Sequence, residues 1–103
     1  MEDSKKQKTN VELIGNLLRT SFKGSSVSDC KSPLDGRKFK IEVEGNAMFL
    51  CVSSEYLCDQ GESRIRKDFE HRNVYRTLSA SPGKYFLLGK SGMQQVPIQD
   101  AAS

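Results

Sequence analysis

The chain has no tryptophan, one histidine and three cysteines among its 103 residues, and the last two scarcities each remove a class of function. His71 has no Ser, Cys or carboxylate at a spacing that would make it one half of a catalytic pair, so a structural or surface histidine is expected. Cys30, Cys51 and Cys58 are odd in number and form no close Cys-x-x-Cys pair. They argue against a disulfide framework and against a zinc site shared with His71, and they fit free thiols in a reducing compartment. No apolar run approaches the roughly 18 residues of a membrane span. The opening Met-Glu-Asp-Ser-Lys-Lys-Gln-Lys has no apolar core of the signal-peptide kind, so a cytoplasmic protein is expected. Glu42 and Glu44 are close enough to Lys38 and Lys40 for ion pairing to account for them. With no nucleophile motif, metal cluster or cofactor fingerprint, the expectation is a protein without cofactor that is not an enzyme.

What is present suffices for one lean domain: 36% of residues are hydrophobic and 28% charged. A formal net charge of +3 permits a polyanionic partner without arguing for one.

The segment Lys38 to Val52 organises the rest. Phe39, Ile41 and Val43 alternate with Lys38, Lys40, Glu42 and Glu44, the period of a strand with one wet face. Gly45-Asn46 supplies residues that tolerate positive φ, as a tight hairpin turn requires. A loop on those two residues would set Glu44 against Ala47, Val43 against Met48, Ile41 against Leu50 and Phe39 against Val52, with all six apolar side chains on one face. The other face carries Phe49 and Cys51 opposite Glu42 and Lys40, so part of it calls for cover.

Around this hairpin the chain divides into a flexible basic arm (1–8), a single α+β domain (9–98) and a frayed tail (99–103). Thr9 followed by Glu12 reads as a capping box, and Val11, Ile14, Leu17, Leu18 and Phe22 make one apolar stripe that Gly24 ends. Gly24 to Gly36 is Ser-rich and reads as a loop or an irregular edge. Ser53 or Ser54 can cap a short helix that Gly61 closes. A longer helix follows over about 63–78, and Val74, Tyr75 and Leu78 fall on the far side from Ile65 and Phe69. It should therefore kink or break near Asn73, or else be contacted on both faces. Tyr85 to Leu88 and Met93 to Ile98 then form a second hairpin with Pro97 at its edge or end. The expected fold is α+β: an N-terminal helix, a central antiparallel hairpin, one short and one longer helix, a C-terminal hairpin, and an antiparallel sheet with helices packed on it.

Leu88-Gly89-Lys90-Ser91-Gly92 resembles the glycine-x-x-glycine loop of KH domains, which clamps a single-stranded nucleic-acid backbone. That family needs a helix and a further strand after the loop, and here Met-Gln-Gln-Val-Pro-Ile follows, so a plain hairpin turn accounts for the glycines. The loop is also too short for a P-loop.

Two functional expectations remain. One is a small regulatory or interaction module that binds a protein partner or a second copy of itself through Phe49, Val74, Tyr75, Leu78, Tyr85 and Phe86. The other is a nucleic-acid-binding accessory protein that uses Lys5, Lys6 and Lys8 of the arm with Arg72, Arg76, Lys84 and Lys90. The arginines and lysines of the longer helix are scattered around its circumference while the apolar surplus needs cover, which favours the first.

Overall fold

The structure is a computed structural model that describes residues 2–32, 35–71 and 74–97, with backbone alone for Glu2, Asp3, Ser4 and His71. In chain order the elements are α1 (Glu2–Ser21), β1 (Ser26–Lys31), β2 (Arg37–Val43), β3 (Asn46–Val52), α2 (Ser54–Asp59), α3 (Glu62–His71), α4 (Val74–Ala80), β4 (Tyr85–Gly89) and β5 (Gly92–Val96). The strands form one five-stranded sheet in the order β1-β2-β3-β4-β5.

The sheet is mixed, which corrects the expected antiparallel one: β3 and β4 run parallel, with Phe49 beside Tyr85 and Leu50 beside Phe86, and the other neighbours are antiparallel. The cause is the connection. Parallel neighbours need a crossover that returns the chain to the end where the first strand began, and α2, α3 and α4 supply it. Both hairpins thereby join a single sheet.

The β2–β3 hairpin keeps the expected faces but turns on Glu44 and Gly45, one position earlier than the sequence suggested. Both have positive φ, 49° and 86°, as a type I′ turn requires, and glycine takes the second central position where that turn prefers it. Hence Val43 pairs with Asn46, Ile41 with Met48 and Phe39 with Leu50. The ladder has moved by two residues, so no side chain changes face.

Residues 26–31 are a regular edge strand and not a loop, paired with β2 from Ser26–Glu42 to Lys31–Arg37. Helix α1 starts at Glu2, so Thr9 lies inside the helix and not at its cap, and residues 2–8 extend the helix. Lys5, Lys6, Gln7 and Lys8 are good helix formers, and two amides tie this end down. Gln7 Nε2 donates to Cys58 Sγ at 3.0 Å, and Asn10 Nδ2 donates to the carbonyls of Leu57 (2.7 Å) and Gln60 (3.0 Å). Those carbonyls close α2, so Asn10, only 4% exposed, satisfies a helix terminus on another element. Asn10→Leu keeps the volume and removes the donor. It is expected to cost about 2 kcal/mol in urea unfolding, because a buried acceptor and a partly buried one lose this donor.

All helices cover one face of the sheet. Ile14 and Leu18 of α1 with Phe22 just after it, Tyr56 and Leu57 of α2, Ile65 and Phe69 of α3, and Val74 and Leu78 of α4 close over Phe39, Ile41, Met48, Leu50, Val52, Phe86 and Leu88. Ser53 caps α2, its hydroxyl accepting from the Tyr56 amide at 3.1 Å. The expected long helix is two helices, α3 ending at His71 and α4 beginning at Val74. This division turns Val74 and Leu78 toward the same core as Ile65 and Phe69. Asn73, the expected break point, and the tail 99–103 lie outside the described residues.

Candidate functional site

The six candidate interface residues do not form one surface. Val74 and Leu78 are core residues, and Phe86 is buried on the helix-covered face. Tyr85 is buried on the opposite face, its ring stacked on Phe49 at 4.4 Å between centroids and 3° between planes. The Lys38 ammonium lies 5.8 Å from the Phe49 centroid and 5.6 Å from that of Tyr85. The apolar surplus on this face is thus largely spent on itself and on one cation. Tyr75 is the large hydrophobic that stands exposed among the described residues, at 49%, and it leans on Phe22 with centroids 4.6 Å apart.

The candidate cations are likewise dispersed. Lys5, Lys6 and Lys8 are exposed near the start of α1, and Arg76 is exposed on α4. The Phe22–Tyr75 contact sets α4 beside the far end of α1, about 25 Å away along the helix at 1.5 Å per residue. Lys84 and Lys90 flank opposite ends of β4. Lys90 is engaged by Asp59 at 3.0 Å and Glu55 at 3.9 Å. The hydrogen bond and charge of Asp59, then the charge of Glu55, raise its pKa above the ordinary lysine value. Arg72 lies outside the described residues.

A more coherent surface lies where the sequence showed no motif, along α1 and β1. Three adjoining cavities of about 230, 340 and 330 Å³ share Val11, then Gln7 and Arg37, and so form one groove. Val11, Val27 and Phe39 provide apolar lining, and Glu12, Arg19, Asp29, Lys8, Arg37 and Asp35 provide charge. The groove exists because little fills it. Gly15 has no side chain, and a Cβ there would stand 3.6 Å from the Arg19 guanidinium. On β1 the residues on the helix-covered face are Val27, Asp29 and Lys31, only one of them apolar. The Asp29 carboxylate accepts from Arg37 Nη2 at 2.6 Å and Nε at 3.2 Å across the strands.

The outer edge of β1 is open. Five of its six residues are exposed, and no described strand pairs with that side. The Ser32 amide donates to the Gly36 carbonyl at 3.1 Å. Because hydrogen-bonded pairs alternate along an antiparallel ladder, Ser26, Ser28 and Cys30 aim their backbone groups at β2, and Val27, Asp29 and Lys31 aim theirs outward. Proline reads this alternation directly. Ser28→Pro removes a ladder donor and is expected to cost about 1–2 kcal/mol. Val27→Pro removes an outward donor and should cost less, a difference visible in urea midpoints. The edge of β5 is less hospitable, beginning at Gly92 and followed directly by Pro97.

Ser-Val-Ser-Asp-Cys-Lys carries no alternation of apolar and polar residues, because an edge strand half uncovered by α1 needs only one apolar contact. The absence of Pro and Gly across six residues was its one sequence signal. Among the described residues, no three of His, Cys, Asp and Glu gather as metal ligands, and no helix is long and apolar enough to cross a membrane. No protein-family model, curated protein or solved structure matches the chain.

Proposed function

We propose that the protein is a non-enzymatic interaction module that binds an extended protein segment on the outer edge of β1, with side chains of that segment reaching the groove beside α1. The open β1 edge carries this reading. Backbone groups of Val27, Asp29 and Lys31 offer sequence-independent affinity, and the mixed apolar and charged groove offers selectivity, the division of labour of strand addition. An odd number of cysteines with no close Cys-x-x-Cys pair supports a cytoplasmic setting. The dispersed cations make nucleic-acid binding the weaker alternative.

The test is selection from a displayed library of extended peptides, with anisotropy of labelled single-stranded RNA and duplex DNA on the same preparation. Selected peptides should bind the natural chain and lose at least about tenfold in affinity on Val27→Pro. Peptides indifferent to that proline would remove β1 as the site. Micromolar RNA or DNA binding that weakens steeply with log salt, without peptide binding, would replace the reading with the nucleic-acid one.

A further inference from the structure

We propose that the segment received by β1 is β1 of a second copy of this chain, paired antiparallel in the register that sets Cys30 against Cys30 of the second copy. This rests on the reading of the β1 edge as the recognition surface.

Two edges that pair antiparallel about a two-fold axis normal to the sheet keep their helix-covered faces on one side, so facing residues come from the same face. Backbone groups of Val27, Asp29 and Lys31 aim outward, and in the proposed register Asp29 and Lys31 form the hydrogen-bonded pairs. The charges discriminate among the registers centred on residues 28 to 31. Centring on Asp29 sets carboxylate against carboxylate, and centring on Lys31 sets ammonium against ammonium. Centring on Ser28 puts Val27 against Asp29, apolar against charge. Centring on Cys30 puts Asp29 of each copy against Lys31 of the other, an opposite-charge match on both sides of the axis.

The local charge balance favours this match. Within one chain Lys31 stands directly across from Arg37, like against like, and the Asp29 carboxylate is drawn to Arg37. Asp29 of a second copy would bring a carboxylate to the outer side of Lys31. Cys30 is exposed, whereas Cys51 is buried and Cys58 is partly buried. Cys30 also lies on the face away from α1, where a second copy meets no helix among the described residues. In this register the Cys30 pair is a non-hydrogen-bonded one, the kind that brings Cβ atoms to roughly 4.5–5.5 Å, near disulfide reach.

Disulfide trapping tests the register. The full chain carrying Cys58→Ser is treated with diamide. Two Cys30 thiols lose their hydrogens and form one S–S bond, and diamide takes up both hydrogens. A dimer should appear on a non-reducing gel and be absent with Cys30→Ser. Trapping should be about tenfold faster than for Ser28→Cys/Cys30→Ser, which moves the thiol along the same face to a position opposite Ser32. Asp29→Lys and Lys31→Asp should each slow trapping, and their equimolar mixture should restore it as a heterodimer, with circular dichroism confirming that each variant is folded. Equal trapping at positions 28 and 30, or no restoration in the mixture, overturns the proposal. Proline-sensitive peptide binding without a trapped dimer would overturn self-pairing and leave the strand-addition reading standing. Absence of both would remove the two together.

Discussion

Gly36→Ala should destabilise the protein by about 4 kcal/mol, a large share of the stability of a domain this size. Gly36 has φ of 90°, a region where an L side chain is strained by about 1–3 kcal/mol. A Cβ at this position would also run into the Val52 carbonyl oxygen and stand 2.8 Å from Ser53 C and 2.9 Å from Ser54 N. These are backbone atoms at the junction of β3 and α2, and they cannot move aside as a flexible side chain could. The neighbouring Asp35 carboxylate accepts from the Ser54 amide at 3.2 Å and the Ser54 hydroxyl at 2.8 Å, which fastens the start of β2 over that junction. Gly45→Ala isolates the conformational part, since Gly45 has φ of 86° and open space around it, and about 1 kcal/mol is expected. Urea unfolding of both variants decides: an equal cost would mean that the crowding at Gly36 has no energetic weight.

How much of this was legible in the sequence depended on whether a local pattern carried the information. The faces of β2 and β3 could be read because Phe39, Ile41 and Val43 alternate with charged residues, and a cap at Ser53 or Ser54 could be read because a hydroxyl before Glu55-Tyr56-Leu57 has an obvious use. The division of the long helix could be anticipated because Val74 and Leu78 leave the stripe of Ile65 and Phe69. The turn was misplaced by one residue because Glu44 at positive φ is unusual, and Asn46 looked the better occupant. The parallel neighbours β3 and β4 are a property of where three helices return the chain, which no single segment records. The candidate site was the least legible part. Val74, Leu78 and Phe86, which suggested an interface, are core, and the open surface is a polar strand with Asp29 and Lys31 beside Val27 on its helix-covered face.

Asp68→Leu is expected to cost about 3 kcal/mol, and companion variants separate the share of Tyr56 in that cost from the share of Arg64. Asp68 is 4% exposed, and it accepts from the Tyr56 hydroxyl at 2.7 Å and from Arg64 Nε at 3.1 Å. The Arg64 side chain is 51% exposed, so its i,i+4 ion pair is screened and contributes only about 0.5 kcal/mol. The Tyr56 bond lies on a side chain that is 1% exposed, where a hydroxyl deprived of its acceptor has no easy recourse to water. Arg64→Ala should therefore cost little, whereas Tyr56→Phe should cost about 1–2 kcal/mol because a buried carboxylate loses a donor. The double variant Tyr56→Phe/Asp68→Leu should be more stable than the sum of the single losses by about 1 kcal/mol, since the bond between the two side chains is then lost once and not twice. Additive losses in that cycle would mean that Tyr56 and Asp68 contribute through packing alone. A cost for Arg64→Ala near that of Asp68→Leu would shift the weight to the ion pair within α3, and the Tyr56 bond would then contribute little to the joint between α2 and α3.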